Sequence, residues 1–69
     1  MTIRQQIDAL VREMVAKGIL YEEASREFER RFIVVALEAE GGSISKAAER
    51  IGMHRNTLSR KMDEYGVKR

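Results

Sequence analysis

The sequence predicts an all-α fold of four helices: two longer N-terminal helices followed by a short C-terminal helix-turn-helix. Apolar residues recur at helical spacing along most of the 69 residues, and no proline interrupts them. No strand-turn-strand pattern competes with this periodicity. Glycines stand at the ends of the periodic segments, where a helix can finish in a left-handed residue. We expect one domain over residues 1–69, with dimerisation helices in 1–42 and the helix-turn-helix in 43–69.

The first helix is predicted to begin at Thr2, because Thr2 and Gln5 form a T-x-x-Q capping box. Gly18 is placed to end this helix, with Ile19 folding back onto it. Between the two ends runs one apolar stripe at i, i+4, i+7, i+8, i+11 and i+12. The stripe is formed by Ile3, Ile7, Leu10, Val11, Met14 and Val15.

The second helix is predicted from Tyr21 to Glu40, where Gly41-Gly42 stops it. Its segment Phe32–Leu37, F-I-V-V-A-L, is apolar on all sides. Ile and Val favour strands, but no partner strand exists to satisfy the backbone groups of an isolated one. A helix that is apolar all round must be buried on several sides. Because one short chain offers little to cover it, we expect a second copy to do so.

The C-terminal segment reads as two short helices separated by a turn at Gly52. Ser45 is predicted to cap the first of them, and Met53 to pack in the elbow. The inner face of the second helix is predicted to carry Leu58, Met62 and Tyr65. Its outer face is polar and basic, which is typical of a helix that reads base edges in a major groove.

The string G-G-S-I-S-K-A-A-E-R-I-G-M-H-R-N-T-L-S-R-K-M-D-E-Y-G resembles the DNA-binding segment of the Fis family. Within that family it is most similar to the C-terminal domain of NtrC-type, σ54-dependent transcriptional activators. The close similarity covers residues 42–67, and a looser one reaches back to Phe28. Two residues depart from the pattern. His54 stands where relatives have a small or amide residue, and Ser59 stands where Fis itself has a cation.

The resemblance implies DNA-contacting roles for individual residues. Three side chains are implied at the mouth of the recognition helix, where they reach bases: His54, Arg55 and Asn56. Arginine suits guanine and asparagine suits adenine. The implied contacts with the DNA backbone come from Ser43, Ser45, Thr57, Ser59, Arg60 and Lys61. The predicted dimer interface consists of Ile7, Leu10, Val11, Met14, Phe28, Phe32, Ile33, Val34, Val35 and Leu37.

The distribution of charge agrees with this division. Residues 1–42 carry six Lys/Arg against eight Asp/Glu, a net charge of −2. Residues 43–69 carry seven against three, a net charge of +4. The positive charge therefore collects on the segment predicted to meet phosphates.

Composition argues against several other classes of protein. With no cysteine and one histidine, the chain lacks the usual ligands of a metal site. No serine has a histidine at a shared helical face, and Gly41-Gly42 lacks the Lys-Ser/Thr of a phosphate-binding loop. The apolar run 32–37 is too short to cross a bilayer. We therefore expect neither an enzyme nor a membrane protein, and no cofactor or metal.

The sequence thus predicts a dimeric, sequence-influenced DNA-binding protein that acts as a bacterial transcriptional regulator and bends its site. Double-stranded DNA and a second copy are the expected partners, together with the transcription machinery or a larger parent regulator. We expect a cytoplasmic, nucleoid-associated location. Two alternatives stay open. One is a nearly non-specific architectural protein of the nucleoid, and the other is a helical protein-interaction module that does not bind DNA.

Overall fold

The computed structural model describes residues 1–68 and contains four α-helices in that range. They are α1 (Ile3–Ala16), α2 (Tyr21–Ala39), α3 (Ile44–Ile51) and α4 (Arg55–Tyr65). The described residues include no strand, so the all-α prediction is confirmed. Arg69, the last residue of the predicted helix-turn-helix segment 43–69, lies outside the described residues.

Helix α1 begins and ends as the sequence predicts. The backbone N–H of Gln5 donates to the Thr2 hydroxyl at 3.1 Å, and the Thr2 N–H donates to the Gln5 side chain at 2.9 Å. These two bonds complete the capping box. At the other end Gly18 has a φ of 76°, and the Ile19 N–H donates to the Met14 carbonyl at 3.0 Å. This is a Schellman ending, which satisfies carbonyls that the helix leaves without a partner.

Helix α2 remains helical through the apolar segment 32–37. The strand alternative is therefore excluded. The helix ends at Ala39, and the N–H of Gly42 folds back onto the Leu37 carbonyl at 2.8 Å. Gly41-Gly42 therefore ends the helix as predicted and redirects the chain into α3.

The core lies where α2, α3 and α4 meet, and each pair of these helices is in contact. Ala47 and Leu58 are fully buried there. Alanine lets two helices approach closely, so α3 packs tightly against its neighbours. The buried side chains are Ile33, Ala36, Leu37, Ile44, Ala47, Ala48, Leu58 and Met62. Ile51, Met53, Tyr65 and Val67 pack around them and are partly buried.

The prediction for the apolar segment 32–37 needs a correction. Ile33 and Leu37 were assigned to a dimer interface, but they are only 1% and 5% exposed within the single chain. They face α3 and α4 and belong to the protomer's own core. The opposite side of the segment remains open, with Phe32 52% and Val35 51% exposed. The chain therefore covers one side of this segment by itself.

Helix α1 buries no residue at all, although its apolar stripe is intact. Its contact with the other three helices is marginal. The radius of gyration is 13.7 Å, whereas a compact chain of this length has one of about 11 Å. The projecting α1 accounts for the difference.

Candidate nucleic-acid interface

The interface is built on helix α3, whose cap differs from the predicted one. The N-cap is Ser43, whose hydroxyl accepts the Lys46 N–H at 3.3 Å. The assignment of Ser45 as the cap is wrong. Ser43 follows Gly42 directly, and its extended backbone starts the helix two residues earlier. Ser45 instead lies exposed in the first turn of α3, so its hydroxyl is available to other groups.

Gly52 makes the turn between α3 and α4. Its backbone lies in the left-handed region, with φ 71° and ψ 33°, which a residue with a Cβ adopts at a cost. The Met53 N–H donates back to the Ala48 carbonyl at 2.9 Å. Met53 also packs against the core. The turn thus sets the angle at which α4 leaves α3, and the Gly52 and Met53 predictions are confirmed.

Helix α4 turns one side to the core and a polar side outward. Leu58 and Met62, one helical turn apart, are buried. Asn56, Arg60 and Asp63 have the spacing i, i+4, i+7 on the opposite side, and all three are exposed. This outer face combines an amide, a guanidinium and a carboxylate. The amide and the guanidinium can donate hydrogen bonds to base edges and phosphates, whereas the carboxylate can only accept one from a base, such as the amino group of cytosine.

His54 lies at the N-terminal tip of α4 and serves as its cap. The Nδ1 atom accepts the Asn56 N–H at 3.1 Å. The tautomer compatible with this bond carries its proton on Nε2, which leaves one N–H donor at the exposed edge of the ring. His54 is therefore both the residue that starts α4 and a polar group at its tip.

Arg55 links the two helices of the motif. Its Nε donates to the Ser45 hydroxyl at 3.0 Å. The bond restrains the side chain at Nε, and the terminal nitrogens of the guanidinium remain as donors. The structure thus brings together two residues predicted to have different roles, one at a base and one at a phosphate.

Lys61 lies on the side of α4 that faces α2. Its ammonium donates to Glu29 at 2.9 Å, and the Tyr65 hydroxyl donates to the same carboxylate oxygen. Two residues of the recognition helix are therefore tied to one carboxylate of α2. Among the predicted phosphate contacts, Lys61 is the cation with an acidic partner in the described chain.

The pKa values of this cluster reflect the shared hydrogen bonds. The bond from Tyr65 and the ammonium of Lys61 lower the pKa of Glu29 below its ordinary value. The same bond raises the pKa of Tyr65, because ionising the phenol would place two anions in contact. Arg26 lies over the Tyr65 ring at 5.3 Å and 3.8 Å from Glu64. Glu29 thus stays ionised and Tyr65 protonated over a widened pH range.

The net positive charge of the motif is more localised than the sequence indicates. Arg50 pairs with Glu40 at 2.5 Å, and Lys61 pairs with Glu29. Two cations of the helix-turn-helix are therefore neutralised by acids in α2 or at its C-terminal end. Within residues 1–68, four other cations of the motif form no ion pair with an acid. They are Lys46, Arg55, Arg60 and Lys68.

The remaining predicted contacts are less accessible than the three at the tip. Ser43, Thr57 and Ser59 are half-buried, whereas His54, Arg55 and Asn56 are exposed. Sequence reasoning missed Glu29 and the functional position of Tyr65. Nothing in the local sequence marks them, because their partners lie 32 and 36 residues away along the chain.

Two negative observations apply to the described residues. None of the four helices is long and apolar enough to cross a membrane. Within residues 1–68, His, Asp and Glu nowhere cluster in a group of three that could hold a metal ion.

The sequence profile of the family described as "Bacterial regulatory protein, Fis family" matches residues 24–65. The match includes most of α2 and all of α3 and α4, which is the part of the chain that forms the core. It confirms the family resemblance inferred from the sequence.

Two curated relatives show the same similarity. The chain is 40% identical over 50 residues to the nitrogen assimilation regulatory protein NtrX of Azorhizobium caulinodans, covering 72% of this chain and 11% of the relative. It is 44% identical over 48 residues to the DNA-binding transcriptional regulator NtrC of Rhizobium meliloti, covering 70% of this chain and 10% of the relative. The matched segment thus spans about a tenth of each relative. No solved structure shows a significant match to the chain.

Proposed function

Since the chain belongs to the Fis family of bacterial regulatory proteins, we propose that it binds double-stranded DNA as a homodimer and regulates transcription. Each protomer inserts the N-terminal end of α4 into a major groove. The second copy binds the next groove of a roughly palindromic site. This role requires no catalytic residue and no cofactor.

The observation that carries the proposal is the arrangement of the tip of α4. His54, Arg55 and Asn56 are adjacent, exposed and on the side away from the core. The guanidinium has the fork that matches the O6 and N7 atoms of guanine, and the amide has the donor and acceptor that match adenine. Arg60 and Lys46 flank this tip and contact phosphates on either side of the groove.

The homodimer is supported by the apolar surface that the single chain leaves open. On α2 it includes Phe28 and Phe32, whose rings lie 5.9 Å apart and are more than half exposed. Beside them a shallow groove of about 410 Å³ runs along α2 to Ile51 of α3. On α1 the apolar stripe is exposed except at Met14, which is half-buried. Large apolar side chains grouped on one exposed side of a helix are typical of a surface that binds another protein.

In this arrangement α1 and the outer side of α2 pack against the same elements of the second copy. The interface then consists of seven of the predicted residues, namely Ile7, Leu10, Val11, Met14, Phe28, Phe32 and Val35. Val34 is half-buried on another side of α2, beside Tyr65 and Val67, and is not part of it. A two-fold interface of this kind also gives a small domain the stability that its own core lacks.

DNA bending follows from the family resemblance. Paired recognition helices that are closer together than one turn of straight DNA require the duplex to curve, and the curve brings flanking phosphates to the sides of the dimer. The protein acts in the cytoplasm, where the chromosome is, either by itself or as the DNA-binding part of a larger regulator that contacts the transcription machinery.

The experiment is a binding titration over a range of salt concentrations. A palindromic duplex is first selected from a random pool by the wild-type chain, and its affinity is compared with that of a scrambled duplex. We expect the logarithm of affinity to fall linearly with the logarithm of salt concentration, by about 0.9 per neutralised phosphate. We also expect the selected duplex to bind at least tenfold more tightly.

Each alternative function gives a different result in this titration. A nearly non-specific architectural protein binds both duplexes equally, with the same dependence on salt. A protein-interaction module binds neither duplex above background. Failure to bind either duplex would contradict the proposed function. Equal binding to both would mean that the protein shapes DNA without recognising a sequence.

A further inference from the structure

Glu29 connects the recognition helix to the helix that carries the dimer surface. Its carboxylate accepts hydrogen bonds from Lys61 and Tyr65, in the second half of α4. It is partly buried, with 35% of its side chain exposed. The bonds join residues 32 and 36 positions apart, so they add directional contacts between two helices that also share the buried core. The hydrogen bonds between side chains of α2 and α4 in the described chain are these two.

The position of Glu29 on α2 gives the contact a further consequence. Glu29 follows Phe28, which belongs to the open apolar surface. The same turn of α2 therefore faces the proposed partner on one side and the recognition helix on the other. Whatever fixes α4 to this turn also fixes the distance and angle between the two recognition helices of a dimer.

We propose that Glu29 is a positioning residue for DNA recognition, acting through Lys61 and Tyr65 to hold α4 at the angle and spacing that the DNA site requires. This inference rests on the proposed function. It assigns no DNA contact to Glu29, whose carboxylate would repel phosphates. It also gives Lys61 a role different from the predicted phosphate contact, since its ammonium is held by a carboxylate.

Two simpler roles make different predictions. If Glu29 only reduces the net charge, its removal raises affinity for all DNA equally, as the loss of any other acid would. If it only stabilises the fold, its removal lowers the melting temperature and leaves the preference between sites unchanged. Only a positioning role predicts that a variant lacking the contact tolerates a changed distance between the two half-sites.

The sharpest variant is Tyr65→Phe, because it removes one hydrogen bond to Glu29 with no change of charge and keeps the ring below Arg26. Its matched control is Tyr21→Phe. Tyr21 is 87% exposed and forms no side-chain hydrogen bond within the described residues. A second pair is Glu29→Gln with Glu22→Gln as control, since both lose one negative charge from α2. Glu22 lies in the first turn of α2, away from the cluster.

The probes are three duplexes: the palindrome selected by the wild-type chain, and two versions with the half-sites one base pair closer or one base pair farther apart. The wild-type chain is expected to prefer the selected spacing. For Tyr65→Phe and Glu29→Gln we expect this preference to fall about threefold to tenfold, because each protomer loses or weakens a hydrogen bond that sets the geometry. Tyr21→Phe and Glu22→Gln should keep the wild-type preference.

Thermal unfolding followed by circular dichroism shows that each variant is folded at the temperature of the binding measurement. Equal spacing preferences in each variant and its control, with all chains folded and bound, would overturn the positioning role while leaving the proposed function intact. Failure of the wild-type chain to bind any duplex would overturn both. If Tyr65→Phe alone fails to fold, Glu29→Gln decides by the same comparison.

Discussion

Helices α1 and α3 have the same kind of amphipathic pattern, but only α3 buries its apolar side within the chain. The eight-residue α3 buries three side chains, Ile44, Ala47 and Ala48, whereas the 14-residue α1 buries none. The difference lies in what each helix can reach. Glycine turns return α3 onto α2 and α4, while the Gly18 ending directs α1 away from them.

Periodicity predicts a helix and its apolar side, but not what covers that side. The alanines of α3 permit close approach within the chain. The larger Ile, Leu and Val side chains of α1 form a surface that the described chain leaves uncovered. Helix α2 combines both situations, since Ile33 and Leu37 face the core and Phe32 and Val35 face outward.

The largest expected effect is in the core. Leu58 is fully buried, so Leu58→Ala should lower the free energy of unfolding by about 2–5 kcal/mol. Leu10 has 52% of its surface exposed in the single chain, and Leu10→Ala is the matched control. Urea unfolding should show a lower free energy of unfolding for Leu58→Ala than for the wild-type chain at every protein concentration. The loss for Leu10→Ala should depend on concentration, because it acts through the dimer. If both variants lose the same free energy of unfolding at every protein concentration, the distinction between a core buried within the chain and an α1 surface buried by dimerisation is wrong.

A charge on the open surface should dissociate the dimer. Val35→Glu places a carboxylate among apolar groups of the proposed dimer interface, and we expect the dissociation constant to rise by at least about a hundredfold. Ala9→Glu adds the same charge on the exposed side of α1 that lies opposite its apolar stripe. Sedimentation equilibrium should find Ala9→Glu dimeric and Val35→Glu monomeric at micromolar concentration. A wild-type chain that is monomeric and folded at that concentration would refute the dimer.

A smaller effect separates two neighbouring cations of α4. Arg60 is exposed and has no acidic partner in the described chain, whereas Lys61 is paired with Glu29. Arg60→Ala should therefore reduce the steepness of the salt dependence by about 0.9 per protomer. Lys61→Ala should reduce it less, because this ammonium already has a counter-charge. The measurement is affinity for the scrambled duplex over a salt series. A larger change for Lys61→Ala would mean that it leaves Glu29 for a phosphate.

Local signals in the sequence were sufficient for the four helices and for the ends at Thr2, Gly18, Gly41-Gly42 and Gly52. The capping box at Thr2, the glycine endings and the alternation of apolar and polar residues depend on neighbours along the chain. The cap of α3 was assigned wrongly, because two serines of equal chemistry stand two residues apart, and the cap of α4 by His54 was not predicted. Only the path of the chain after Gly42 selects Ser43.

Contacts between distant residues could not be read in the same way. The Arg55–Ser45 bond and the Glu29 cluster depend on the angle at which helices pack, and that angle is set by the whole core. The same limit explains the assignment of Ile33 and Leu37 to a dimer surface. Sequence showed that the segment 32–37 is apolar all round, but not which side the chain covers by itself.

Base reading by α4 is tested by comparing the affinities of Arg55→Ala and of the wild-type chain for the selected and the scrambled duplex. Arg55 is exposed at the tip of α4, and Ser45 holds its Nε, which leaves the terminal nitrogens for a base. We expect Arg55→Ala to lose about 1–3 kcal/mol more affinity per half-site for the selected duplex than for the scrambled one. Arg55→Lys should recover part of the affinity for the scrambled duplex but not the discrimination, because it lacks the planar fork. Equal losses on both duplexes, restored by lysine, would contradict base reading by Arg55 and assign it to a phosphate.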